Sequence, residues 1–250
     1  MNETMIYGVH PVLEALESDK EIDRIFVVRG RNENVDPILE LAKALHVTVK
    51  IVPIEKMNRL TRKNHQGVIA FLSAISFSSL ENIIDTTYSK GETPLIMVLD
   101  RITDVRNVGA IARSAECCGA QALVIPENNT APMNGDSVKS SAGALLRVPV
   151  CREKNLSHTL AYLEESGLQI IGCTEKGDLN ISDIDMSVPT AIVMGSEEDG
   201  ISPAVWKGCR IHAKIPTIGE VASLNVSVAA GIVLYETLNQ SCLLYTSDAA

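Results

Sequence analysis

The stretch at residues 215–236, Ile-Pro-Thr-Ile-Gly-Glu-Val-Ala-Ser-Leu-Asn-Val-Ser-Val-Ala-Ala-Gly-Ile-Val-Leu-Tyr-Glu, constrains this chain more than any other. A β-like run at 209–216 leads into it and is broken by Pro216 and Gly219, residues that supply turns. Ser223 and Asn225 then stand where a helix would begin, and both side chains are good caps. From Val226 to Leu234 the residues are apolar or small nearly all the way round, so the pattern predicts a helix buried on most faces. Two readings fit such a loop. It is either a capped core helix after a tight turn, or a place where backbone N–H groups face a ligand.

Upstream, short apolar runs alternate with helical periodicity. Strands are expected at 95–99 (ending at Asp100), 122–125, 169–173 and 191–194, with helices at 108–117, 137–146 and 156–165. Strands of that kind separated by helices predict an α/β fold with a parallel sheet covered on both faces. No G-x-G-x-x-G follows a strand, so the dinucleotide fingerprint of a nucleotide-dependent oxidoreductase is absent. Residues 6–75 form a second alternation: helices at 9–16, 37–45 and 55–61, and extended runs at 24–28, 47–52 and 68–72. The expected organisation is a small α/β domain at 1–76, a polar linker at 77–93, a larger domain at 94–240 and a tail at 241–250. The tail sequence is read as disordered or foreign to the natural gene.

Charge bears on the choice of partner. The formal net charge is −9, distributed as 0 over residues 1–76, −1 over 77–160 and −8 over 161–250. A nucleic-acid contact would therefore fall in the first 160 residues, where the basic run Arg59, Arg62, Lys63 lies. The cysteines at 117, 118, 151, 173, 209 and 242 form no CxxC pair and have no histidine at metal spacing. They read as reduced thiols of a cytoplasmic protein with no metal site. No apolar run is long enough to span a bilayer, so no membrane partner is expected.

Two further stretches join the first. Asn107-Val-Gly109-Ala-Ile-Ala-Arg113 opens a helix just past a strand, where ligands of parallel sheets bind. Gly195-Ser-Glu197-Glu198-Asp199-Gly200-Ile201-Ser202 follows a strand, and a glycine there lets a ligand approach the backbone. Taken alone, Asn107 could be a helix cap, Arg113 a surface residue and Glu197 a solvated acid. In order with Ser223-Leu224-Asn225-Val226-Ser227, they resemble the three signature motifs of the SpoU/TrmH RNA 2′-O-ribose methyltransferases of the SPOUT superfamily. The opening Met5-Ile-Tyr-Gly-Val-His-Pro and the run His65-Gln66-Gly67 are similar to the RNA-binding domain of the two-domain branch of that family. Two positions depart from the pattern: Ile201 replaces a leucine and Thr217 replaces a methionine.

The resemblance implies an α/β domain tied into a trefoil knot, preceded by an L30e-like domain that grips RNA. It implies S-adenosylmethionine as cofactor, cradled by the backbone at Gly195, Ile215 and Leu224. Asn107, Arg113, Glu197, Ser223 and Asn225 become the catalytic residues, and Arg62, Lys63 and His65 become contacts to substrate RNA. Arg101 and Arg106 flank the same mouth as Asn107, a position suited to further phosphate contacts. A homodimer is implied, with the helix at 226–238 in its interface. The branch points to a guanosine of large-subunit ribosomal RNA, with transfer RNA as the competing substrate. A non-catalytic RNA-binding relative would lack Arg113, Glu197 or Asn225, and all three are present. Family descriptions give the arginine matching Arg113 the role of base. A guanidinium stays protonated, so a grip on the neighbouring phosphate is the alternative, leaving the proton to Glu197 or to a water held by Asn225.

Overall fold

A computed structural model describes residues 5–18, 20–30, 33–221 and 223–247. The chain divides into two units, Met1–Ser76 with Pro132–Asp136, and Phe77–Ala131 with Ser137–Ala250.

The first unit is built on a four-stranded sheet of β1 (Met5–Tyr7), β2 (Ile22–Val28), β3 (Thr48–Val52) and β4 (Val68–Leu72), in the order β1-β4-β2-β3. β2 and β3 run parallel, and β4 is antiparallel to both β1 and β2. Alternation along β2 sends Ile25 and Val27 to one face and Phe26 and Val28 to the other. The first face packs under α1 (Val9–Glu17) and α2 (Asp36–Ala44) through Val12, Leu16, Ile38 and Ala42. The second is covered by the short α3 (Ile54–Leu60), whose Met57 packs with Phe26 and Phe71.

The second unit contains α4 (Leu80–Ser89), β5 (Leu95–Leu99), α5 (Val105–Cys117), β6 (Ala122–Pro126), α6 (Gly135–Ser140) from Ser137 onward, and β7 (Val150–Glu153). It continues through α7 (Leu156–Glu165), β8 (Gln169–Cys173), β9 (Leu179–Asn180), β10 (Thr190–Met194), α8 (Pro203–Trp206), β11 (Ile211–Lys214) and α9 (Val226–Ser247). Its seven strands run in the order β7-β6-β5-β10-β8-β11-β9, and every described pairing is parallel. Parallel pairing puts the carboxyl ends of β5, β8, β10 and β11 on one edge, so the loops after residues 99, 173, 194 and 214 converge.

Several expectations need correction. The polar segment at 77–93 carries α4. Ser79 caps that helix by accepting from the Asn82 N–H at 3.2 Å, and Leu80, Ile84 and Thr87 are buried on one of its faces. The helix expected at 137–146 stops at Ser140, because Ala142 and Gly143 turn left-handed before a single 3-10 turn at Ala144–Leu146. The helix after Asn225 is not buried on most faces: Val228, Ile232 and Tyr235 are exposed along one stripe. Its backbone continues into the stretch expected to be disordered, as far as Ser247; the last three residues lie outside the described residues.

Candidate functional site

The Gly195–Ser202 loop is folded back on itself. Ser196 and Gly200 exchange two backbone hydrogen bonds of 3.0 Å, and the Asp199 N–H donates to Ser196 Oγ at 3.1 Å. A Cβ on Gly195 would lie 2.1 Å from the carbonyl carbon of Gly200, so only glycine fits. The end of β5 clamps this loop. Asp100, buried, accepts the Ser202 N–H at 2.6 Å, and Arg101 donates to the Gly200 carbonyl at 3.0 Å and pairs with Asp199 at 3.2 Å. Arg101, expected to contact RNA, is thus occupied in bracing the loop.

Asn225 joins all three sequence motifs. Its Oδ1 accepts the N–H groups of Ser227 (2.9 Å) and Val228 (3.3 Å) and the Ser227 hydroxyl (2.6 Å), capping α9. That duty fixes the orientation of the amide. Its Nδ2 must then face the other way, where it donates to Asn107 Oδ1 at 3.1 Å and to Glu197 Oε1 at 2.6 Å. Asn107 is buried near the start of α5, which is itself capped by Asp104 accepting the Arg106 N–H at 2.6 Å. Gly109, two residues on, has no room for a side chain, since a Cβ would meet Ser140 Oγ at 2.0 Å.

Between these loops lies a cavity of about 590 Å³, lined by Gly195, Glu197, Ile215, Ser223, Leu224 and Asn225 among others. The size lies within the ordinary range for small-ligand sites. Thr217 is also on the wall, as are residues the sequence did not single out: Cys173, Thr174 and Trp206. Ionisable groups on the wall are Glu175, Glu197, Glu198 and Asp199 against Lys176 and Lys214, an excess of carboxylates that favours a cationic ligand and disfavours a polyphosphate. Burial, then the neighbouring Cys209, pushes the Cys173 thiol up to about 12, so it is neutral near pH 7 and no nucleophile. Among the described residues, no three His, Cys, Asp or Glu side chains are grouped to hold a metal ion, and no helix is long and apolar enough to cross a membrane.

The remaining expected residues lie elsewhere. Arg113 is exposed on α5 and does not line the cavity. Arg106 is exposed on the first turn of the same helix. In the first unit, Arg62 and Lys63 are exposed, but His65, expected at an RNA surface, is buried. Its Nδ1 accepts the Gly67 N–H at 3.0 Å, which leaves the proton on Nε2 to donate to Asn58 Oδ1 at 3.1 Å. Gln66, at φ 51°, accepts the Val9 N–H at 2.9 Å and so caps α1, whose own N-cap Gly8 has no side chain to do so. The His-Gln-Gly run is a clasp inside the unit.

Residues 94–235 match the model of the SpoU rRNA Methylase family, and residues 5–78 match one described as RNA 2′-O ribose methyltransferase substrate binding. The chain is 37% identical over 247 residues to the 23S rRNA (guanosine-2′-O-)-methyltransferase RlmB of Vibrio parahaemolyticus, covering 96% of this chain and 98% of that one. It is 33% identical over 235 residues to the putative TrmH family tRNA/rRNA methyltransferase YacO of Bacillus subtilis, covering 92% and 93%. Among solved structures it resembles the SpoU methyltransferase AviRb from Streptomyces viridochromogenes in complex with AdoMet, at a TM-score of 0.62 and 25% identity, covering 97% of this chain and 92% of that one.

Proposed function

Because this chain belongs to the SpoU rRNA methylase family, we propose that it methylates a ribose 2′-hydroxyl of structured RNA, with a guanosine of 23S ribosomal RNA as its target. The observation that carries this reading is the Asn225 amide, which ties Asn107 and Glu197 together at the wall of an acid-rich cavity. The kinship with RlmB, over nearly the full length of both chains, supports ribosomal over transfer RNA.

The cavity suits S-adenosylmethionine on three grounds: its size, its carboxylates, and loop backbone kept bare by Gly195. That cofactor, when bound, supplies a sulfonium methyl whose C–S bond breaks as the ribose oxygen attacks, the electron pair staying on sulfur. The backbone at Gly195, Ile215 and Leu224 would hold it. Glu197 accepts from Asn225 and is exposed, so its carboxylate, or a water on the Asn225 amide, can take the hydroxyl proton. Arg113, permanently charged and free of ion pairs among the described residues, is suited to gripping a phosphate and aligning the acceptor.

The same reading makes residues 1–76 an L30e-like RNA-binding domain, supported by the substrate-binding match at 5–78, with Arg62 and Lys63 exposed for phosphate contact. It makes the second unit a trefoil-knotted domain. Supporting this is the family match over residues 94–235. It makes the protein a cytoplasmic homodimer, the exposed stripe Val228, Ile232, Tyr235 of α9 supplying apolar surface. Incubation with radiolabelled methyl donor and, separately, protein-free 23S ribosomal RNA and total transfer RNA tests it. Label is expected in ribosomal RNA as 2′-O-methylguanosine. Label confined to transfer RNA would reassign the substrate, and label on a base would overturn the chemistry.

A further inference from the structure

We propose that Trp206 is the stacking surface for the purine end of the cofactor and that His212 is a positioning residue holding the indole in place; this rests on the S-adenosylmethionine reading of the cavity. The chain has one tryptophan. It ends α8 and is the one aromatic ring on the cavity wall among the described residues. Its ring lies flat on the imidazole of His212, from β11, with centroids 3.7 Å apart and planes 6° from parallel. His212 covers one face of the indole, so the surface that lines the cavity is what the imidazole leaves open.

His212 acts here as a flat plate. Its Nε2 is buried and makes no hydrogen bond, whereas an imidazole kept for its polarity would be expected to have a partner there. Both partners are pinned by their backbones. The Trp206 N–H donates to the Ser202 carbonyl at 2.8 Å and its carbonyl accepts the Cys209 N–H at 3.0 Å, while the His212 carbonyl accepts the Asp178 N–H at 3.0 Å. The stack therefore links α8 to the strand edge that leads into Ile215. With four carboxylates elsewhere on the wall, the cavity offers one aromatic surface and one acidic region. A ligand with a flat neutral ring and a cationic centre has the matching chemistry.

Because Trp206 is the sole tryptophan, emission excited beyond the absorption of the five tyrosines reports on this wall alone. S-adenosylhomocysteine is titrated into the full chain while emission and, in parallel, calorimetric heat are followed. The expected result is a saturable emission change with the calorimetric midpoint, and none with methionine alone. Trp206→Ala should weaken binding about tenfold or more, given what base–aromatic stacking contributes, and Trp206→Phe only a few-fold. His212→Ala should weaken it several-fold, and His212→Phe, which restores a flat ring, should recover it. Saturation by calorimetry without an emission change, or wild-type affinity in Trp206→Ala, overturns the proposal. A wild-type chain that gives no heat with S-adenosylhomocysteine removes the cofactor reading itself, and this inference with it. Trp206→Phe keeps the test decisive should Trp206→Ala fail to fold.

Discussion

The Asn225 amide donates to the Glu197 carboxylate at 2.6 Å while its oxygen caps α9, so one side chain sets both the helix start and the orientation of the acid. Asn225→Asp separates the two duties. Aspartate caps as well as asparagine, so unfolding free energy should fall by less than about 1 kcal/mol. It cannot donate, and it sets a second carboxylate against Glu197, so methyl transfer should drop roughly hundredfold or more. Adding Glu197→Gln lets the new glutamine donate to the new aspartate and should return the lost stability. Activity should stay low if Glu197 takes the proton. Thermal unfolding and initial rates on the single and double variants decide it.

Gly195→Ala tests whether the loop must be bare. The added Cβ would meet backbone, at 2.1 Å from Gly200, and backbone cannot swing aside as a flexible side chain can. A loss of about 1–3 kcal/mol in stability is expected from such overpacking, with cofactor binding abolished. Gly91→Ala is a fitting control: unlike Gly195 it sits at positive φ (73°), and nothing lies within 4 Å of its added Cβ, so it should lower stability while leaving binding intact.

The three motifs were legible as motifs because each is a contiguous run with fixed spacing, and so were β5, β6, β8 and β10, whose apolar runs match a sheet buried on both faces. β1, β7 and β9, of two to four residues each, were too short to stand out. What escaped depends on partners distant in sequence. Nothing local to Arg101 says that it braces a loop 98 residues away instead of meeting RNA. His65 was expected at an RNA surface through the resemblance of the His-Gln-Gly run, yet its two nitrogens are both satisfied inside the unit. The Trp206–His212 stack joins a helix end to the following strand, and neither residue belongs to a motif. In α4, Ser and Thr obscured an i, i+4, i+7 pattern of Leu80, Ile84 and Thr87.

Arg113→Ala should abolish methyl transfer while leaving S-adenosylhomocysteine affinity close to wild type. The side chain is exposed and off the cavity wall, so truncating it removes no contact to a ligand held there. Arg113→Lys should recover little, because an ammonium cannot grip a phosphate in two places. Calorimetry and rate measurements on one preparation separate the two effects. Substantial turnover in Arg113→Ala would remove this residue from the mechanism.

Charge placed on the exposed α9 stripe tests the dimer. Ile232 and Tyr235 are 38% and 63% exposed, so Ile232→Glu with Tyr235→Glu should barely alter protomer stability. Light scattering after gel filtration should show the mass halved relative to wild type. A wild-type chain that already runs at 27.0 kDa would end the homodimer reading.

Three thiols, Cys151 and Cys209 in the core and Cys173 half-buried at the cavity wall, give the fold an alkaline limit. Burial is the largest cause pushing Cys151, Cys173 and Cys209 from a usual value near 9 up to about 12. A raised value means the native state holds its proton more tightly than the unfolded chain does. Their contribution is therefore present in full below pH 9 and is lost progressively as pH rises towards 12. Urea midpoints should be flat across neutral pH and fall beyond 9, in part through other groups that titrate there. The share due to these thiols is the difference in slope between wild type and a Cys151→Ala, Cys173→Ala, Cys209→Ala variant. That variant should start less stable, since core packing is lost, and decline less steeply. Parallel declines would mean that the thiols are not the groups responsible.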